Sequence, residues 1–366
     1  MNLNIITFLA IFFVISFIAF PPYMKKNRQA LFFSYSRWYY CYALLLFYLF
    51  FCFFYVCRNP VPGNDTFVYL SVFKRIANCV SYSEIRNRHI VINFEKGYVW
   101  FVYLISRISA SKVFFLSVMG GCIYFSFLNY IHSLSNGVLL SVTFFILFGT
   151  FFSTTNLMRQ FCAISIILYG YKYLLKKKYI KFYIVVCLAS LFHSSALICV
   201  IIPFINTVKI SKHFMLFYLF VLLMMVVFSN RLLSTMIHFV APKYEHFLSS
   251  EIFGIQDTAK LGPLFNLSIG LFVLFCFLRN YEINNTVYDK LLKIYMIGLL
   301  FTAMSVKFTQ IDRLSLYFSP AAIVLFGMVK KNIIFYATLV ALIGYCLVTN
   351  LLRPEWTGFF PYHIDL

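Results

Sequence analysis

Apolar runs separated by short basic stretches set the rhythm of this chain. They lie near residues 2–20, 38–57, 111–132, 137–153, 159–175, 182–205, 214–229, 262–279, 291–306, 314–329 and 333–350. Each approaches the roughly 20 residues that a helix needs to cross a hydrocarbon core about 30 Å thick. The pattern predicts an all-α fold: a polytopic integral membrane helical bundle with about 11–12 transmembrane helices, some short or broken. Segment 97–108 is too short to span comfortably and reads as a re-entrant or interfacial helix. Met1–Phe20 reads as the first span rather than a signal peptide, because its apolar stretch is long and more spans follow. With no internal repeat and no Pro/Gly-rich linker, residues 1–366 are expected to form a single polytopic membrane domain.

Composition agrees. The chain is 62% hydrophobic with a mean hydropathy of +0.85, whereas soluble domains are nearer half apolar. The formal charge of +20 would suggest nucleic acid in a soluble protein. Here the basic residues fall in short loops between apolar runs, which is the positive-inside signature, so a membrane and no nucleic acid is expected. Lys25, Lys26, Arg28 and Arg37 mark one inside loop, Lys176–Lys178 with Lys181 another, and Lys330 with Lys331 a third. Segments 58–110 and 230–261 then form two larger extracytoplasmic loops, and 307–313 and the residues after 350 also face out. Nine of the eleven acids lie outside on this map. Lys209 and Lys212 conflict with it, and a helix break near Phe192-His193-Ser194-Ser195 would resolve the conflict.

The ten cysteines show no CxxC or Cys/His metal spacing, so no metal site, cofactor or disulfide framework is expected. Cys57 and Cys79 could both face outward, where a bridge would be possible.

Against this background, polar residues are conspicuous. From Val113 to Tyr171 the only permanently charged side chain is Arg159. A lone arginine in such a stretch pairs, faces water, binds an anion or snorkels from a helix end. The other polar groups are Arg58 with Gly63, Asp65 and Tyr69; Glu95 with Gly97 and Tyr98; Gln160 beside Arg159; His193; Lys307 through Arg313, followed by Tyr317; and Tyr244 in the second large loop. Each has a plain alternative. Asp65 suits a helix N-cap, Glu95 a solvated loop, Asp312-Arg313 a surface pair, and His193 a polar group in a helix break. Taken together, outward arginines suit a phosphorylated ligand, since guanidinium offers phosphate a bidentate fork. A neighbouring carboxylate or histidine suits general base work. Tyr98, Trp100, Tyr244, Trp356 and Tyr362 suit sugar stacking and interfacial belts equally.

Four stretches carry a family resemblance: Arg58…Gly63-x-Asp65…Tyr69; Glu95-x-Gly97-Tyr98; Leu157-x-Arg159-Gln160-x-x-Ala163, continuing to Lys176–Lys178 and Ala189-Ser190-Leu191-Phe192-His193; and Arg313-x-Ser315-x-Tyr317-Phe318. In order and spacing the chain resembles the EpsG-like family of Wzy-type bacterial O-antigen, capsule and exopolysaccharide polymerases. It departs at Asn59-Pro60-Val61-Pro62, which lengthens the approach to Asp65. The resemblance implies a metal-independent membrane glycosyltransferase, multi-pass in the bacterial inner membrane with its site facing the periplasm. It would join oligosaccharide repeats carried on undecaprenyl pyrophosphate, beside a flippase and a chain-length regulator. Arg159 and Arg313, with Arg58 assisting, would hold the pyrophosphate. Tyr69, Gln160, Tyr317 and Tyr244 would contact substrate, and Asp65 or Glu95, or else His193, would be the base. A flippase or exporter of the same lipid-linked sugars, or another carrier-lipid transferase such as an O-antigen ligase, remains open.

Overall fold

The computed structural model describes residues 2–19, 35–58, 65–87, 94–205, 208–240, 261–281, 285–353, 359–360 and 362–363. Among them the chain is helical almost throughout. Its only strands are β1 (Asn2–Leu3) and β2 (Tyr362–His363), a two-residue antiparallel pair. Within the membrane domain expected for residues 1–366, packing distinguishes two compact units: residues 1–197 with 344–366, and residues 198–343.

The first unit contains α1 (Ile5–Ala19), α2 (Tyr35–Val56), α3 (Asp65–Ala77), α4 (Tyr82–Asn87), α5 (Lys96–Ile108), α6 (Lys112–Leu134), α7 (Val138–Leu147), α8 (Thr150–Asn156), α9 (Met158–Leu175) and α10 (Tyr179–Ser190). Helix α6 packs against both α2 and α9, and α10 folds back on α9. The basic turn between α9 and α10 is tight. Lys177 is left-handed (φ 56°), and the Lys178 N–H returns to the Tyr173 carbonyl at 2.8 Å, which satisfies a carbonyl at the helix end. At the other end of the unit, Phe8, Phe50, Phe54, Phe151 and Phe152 form an aromatic core, with centroids 4.7–5.8 Å apart and mostly tilted or edge-on, the arrangement ring quadrupoles prefer.

Two breaks interrupt the first unit. Gly149 adopts φ 80°, open to glycine but costly to other residues, and α7 and α8 meet there at 57°. The second break falls at Leu191–His193, after which a 3₁₀ helix runs Ser194–Ile201 into the short α11 (Ile202–Ile205). The chain thus breaks where the charge pattern asked for it. The polar run His193-Ser194-Ser195 interrupts the apolar stretch there, and the chain goes on as a 3₁₀ helix.

The second unit is built around α14 (Thr286–Ser305), packed by α12 (Lys212–Val240), α13 (Leu261–Arg279), α15 (Asp312–Ser315) and α16 (Ser319–Phe326). Helix α17 (Ile333–Leu347) continues as a π turn through Leu352.

The expected 11–12 spans resolve unevenly. Lys112–Leu134, Leu261–Arg279 and Ile333–Leu352 are long and apolar enough to cross a membrane, and the bent pair α7–α8 makes a fourth. Ile5–Ala19, Cys41–Val56, Tyr179–Ser190, Ser194–Ile205 and Lys212–Phe228 are shorter apolar helices. Helices α9 and α14 have the length but are diluted by charged and polar residues. The run 314–329 is split between α15 and α16. Of the two expected outer loops, 58–110 carries the short helices α3, α4 and α5, and the first part of 230–261 is a continuation of α12 to Val240. Cys57 and Cys79 are both buried free thiols, so the bridge considered between them is not made.

One charge pair inside α14 escaped the sequence reading. Lys293, 4% exposed, donates to Asp289 at 2.6 Å, and Tyr281 donates to the other carboxylate oxygen at 2.8 Å. Removing one partner of a buried pair leaves an uncompensated charge, whereas replacing both is often neutral. Asp289→Ala should therefore lower stability by about 3 kcal/mol, and Asp289→Ala/Lys293→Met should recover most of the loss. Thermal unfolding of the purified protein in detergent checks both.

Candidate active site

The site begins with unsatisfied backbone at helix ends. A helix leaves N–H groups unpaired at its start and carbonyls at its end. At the break after α10, the Leu191 carbonyl accepts from the Tyr98 N–H in the first turn of α5 at 3.2 Å. Gly97 permits this approach: a Cβ there would sit 2.7 Å from the Leu191 Cβ and 2.8 Å from its carbonyl oxygen. The close docking delivers Glu95, the residue before α5, to the broken backbone at His193-Ser194.

Glu95 does not cap its own helix. One carboxylate oxygen accepts from the Ser194 N–H at 2.9 Å and faces His193 Nδ1 at 3.1 Å. The other accepts from Arg159 Nη1 at 2.6 Å. All three side chains are between 17% and 23% exposed, so the group is shielded yet reachable. Burial pushes the Glu95 carboxyl up, but the hydrogen bonds from His193 and Ser194 and the charge of Arg159 outweigh it and hold the pKa at about 2.

Arg159 is the second residue of α9, just past the kink at Leu157. The helix-end position considered from the sequence is correct, but the side chain turns into the cluster. Its guanidinium lies 4.1 Å from the centroid of Phe94 and 5.9 Å from that of Tyr69, and it also hydrogen-bonds Tyr69. Stacking on two rings and pairing with a carboxylate suit the flat guanidinium and not an ammonium.

The other expected residues are distributed around this cluster. Arg58 is buried, 6% exposed, and donates to Thr66 at 2.6 Å. Asp65 opens α3, and its backbone N–H donates to Asn156 Oδ1 at 2.8 Å. Gln160 is buried within α9. Tyr98 and Tyr362 are buried at 1% exposure, which removes both as sugar-stacking platforms, while Trp100 is 54% exposed. In the second unit Arg313 is exposed and Tyr317 is fully buried, so Tyr317 has no free face for a glycan. Beside them, burial raises the pKa of Asp312 against the hydrogen bonds it receives from Ser315 and Asn266. Tyr244 and Trp356 lie outside the described residues. The sequence reading placed Phe94 in the Glu95 stretch, Ser194 in the helix break and Asn156 in the run before Arg159, and gave none of the three a part in the site.

Charge separation, a poised imidazole and a stacked guanidinium suit transfer chemistry on an anionic substrate. The EpsG family model matches residues 41–364, nearly the whole chain. The chain belongs to the EpsG family. It is therefore a polysaccharide-polymerase-like membrane protein. No curated protein and no solved structure matches it. The four stretches that carried the resemblance all fall inside the matched region, and in this EpsG-family chain two of them meet at Glu95.

Two outcomes follow. Gly97→Ala should displace α5 from Leu191 and cost about 1–3 kcal/mol in stability, as overpacked sites do; thermal unfolding measures it, and an unchanged midpoint would refute the docking argument. Because the Glu95 pKa is lowered in the folded state, its contribution to stability is complete above about 4.5 and is lost as the pH falls toward about 2. Glu95→Gln should remove that acid-range loss from the stability–pH curve.

Proposed function

We propose that this protein is a polysaccharide polymerase that joins oligosaccharide repeat units carried on undecaprenyl pyrophosphate, at the outer face of a bacterial inner membrane. The observation that carries the reading is the single carboxylate of Glu95 held jointly by Arg159 and His193. The orientation rests on the positive-inside pattern, which leaves the segments bearing Glu95 and Asp312 on the outer side.

In this reading the acceptor sugar hydroxyl attacks the anomeric carbon of the growing chain. The new glycosidic C–O bond forms as the bond from that carbon to the pyrophosphate oxygen breaks. The leaving group departs as lipid pyrophosphate, and guanidinium groups meet its developing charge. Arg159 fits this role. Glu95 is too weakly basic to take the hydroxyl proton. It accepts from His193 Nδ1–H instead, which fixes the tautomer and leaves Nε2 as the acceptor for that proton. Between the two bases considered from the sequence at this spot, the geometry thus favours His193, with Glu95 orienting it.

Surface polysaccharide from a strain lacking the gene, with and without restored wild-type or variant protein, tests this. The reading requires the ladder to collapse to a single repeat unit on the lipid anchor. Loss of even the single-unit band would point to a ligase or a flippase, and an unchanged ladder would refute the polymerase. His193→Ala should slow polymer formation by about a hundredfold or more, the usual contribution of a positioned base. Arg159→Lys keeps the charge but loses the planar fork and the stacking, and should not restore full polymer length.

A further inference from the structure

One buried hydroxyl in the first unit joins three elements next to the Arg159 cluster. Thr66, the second residue of α3, is 0% exposed. Its Oγ1 accepts from Arg58 Nη2 at 2.6 Å and donates to the Thr155 carbonyl at 2.5 Å. Arg58 lies two residues past the end of α2, and Thr155 lies in the last turn of α8. The neighbouring Asp65 N–H bonds Asn156 in that same turn. The start of α3 is thus pinned twice to the end of α8, and three residues beyond Asn156 the chain reaches Arg159.

The hydroxyl serves both neighbours. The Thr155 carbonyl stands in the last turn of α8, the part of a helix whose carbonyls lack intrahelical donors. Arg58 Nε and Nη1 are buried without a hydrogen-bond partner among the described residues, and its guanidinium lies 4.8 Å from the Tyr55 ring centroid. A buried cation so poorly supplied with acceptors depends strongly on the one it has. Donating to a carbonyl polarises the Thr66 oxygen and makes it a better acceptor for Arg58. One turn along α3 stands Tyr69, the residue that hydrogen-bonds Arg159.

The segment carrying β2 braces the two elements that Thr66 connects. Phe359 packs on Phe151 and Phe152 of α8 at 5.6 and 5.2 Å, and the Tyr362 hydroxyl donates to the Phe54 carbonyl near the end of α2 at 3.2 Å.

We propose that Thr66 is a positioning residue: its hydroxyl sets the register of α3 against Arg58 and α8, and through Tyr69 fixes Arg159 and hence Glu95. The inference rests on the reading of that cluster as the polymerisation site. Only a hydroxyl with a free rotor can accept from the guanidinium and donate to the carbonyl at once, so serine can replace threonine and the isosteric valine cannot.

Full-length Thr66→Val and Thr66→Ser, expressed in the deletion strain, test it through the rate of polymer formation per folded protein, thermal unfolding and hydrogen exchange. Thr66→Val should slow polymer formation about tenfold, and Thr66→Ser should stay within about twofold of wild type, the range expected for loss of a hydrogen bond to a charged group. Arg58→Met/Thr66→Val removes the buried donor together with its acceptor; it should recover part of the unfolding midpoint, the Thr155 carbonyl still lacking its donor, and not the rate. A Thr66→Val protein with wild-type rate, or a double variant that recovers rate along with stability, would overturn the proposal. Amide exchange over 94–98 and 157–161 should rise in Thr66→Val and not in Thr66→Ser. That readout needs no activity, so it judges Thr66 even if deleting the gene leaves the ladder unchanged, which is the outcome that refutes the polymerase instead.

Discussion

The carboxylate of Glu95 is the one group on which the arrangement of the first unit's polar residues depends. It takes a donor from α9, a ring nitrogen from the break after α10 and a backbone N–H from the following 3₁₀ turn. None of these partners is close to Glu95 in sequence: Arg159 is 64 residues away, and His193 and Ser194 are 98 and 99 residues away. A charge in such surroundings is costly unless it is paired and fully hydrogen-bonded. Here pairing is good enough to reverse the effect of burial, and the carboxylate stays ionised. A fixed negative charge between a guanidinium and an imidazole is a preorganised field, present before any substrate arrives.

The apolar bundle makes room for this field by breaking its helices. Irregular backbone at membrane depth is tolerated where protein or water satisfies it. At Gly149, Leu157 and Leu191–His193 the chain leaves regular helix, and near the last two of these breaks a neighbour uses a backbone carbonyl. The Leu191 carbonyl takes the Tyr98 N–H, and the Thr155 carbonyl takes the Thr66 hydroxyl. The same logic explains why small residues matter at two places. Gly149 supplies a backbone angle, and Gly97 supplies the absence of a Cβ where two backbones meet.

Electrostatics also separates residues that look equivalent in the sequence. Arg58, Arg159 and Arg313 are all arginines at the edge of apolar runs, but they reach three different environments. Arg159 is ion-paired and stacked, Arg58 is buried against a threonine and a tyrosine ring, and Arg313 is exposed. The acids divide similarly. Glu95 is held down by its partners, whereas Asp312 is raised by burial because only neutral donors reach it.

Period and composition were sufficient to determine an all-helical membrane chain, since a run of apolar residues has no other stable place for its backbone in lipid. Loop charge was sufficient to anticipate a break near His193, and the rarity of charge from Val113 to Tyr171 singled out Arg159, while Glu95 came forward only as part of a polar loop stretch. The tertiary structure alone decided what they do to each other. Whether a carboxylate is a base or a fixed anion depends on which donors surround it, and those donors come from distant segments. Whether Tyr98, Tyr317 and Tyr362 face a glycan or a core depends on packing, to which an aromatic residue in a loop or helix gives no local clue; all three are buried. Thr66 was invisible for the same reason. A threonine near a helix start is commonplace, and only the arrival of Arg58 on one side and Thr155 on the other gives its hydroxyl a task.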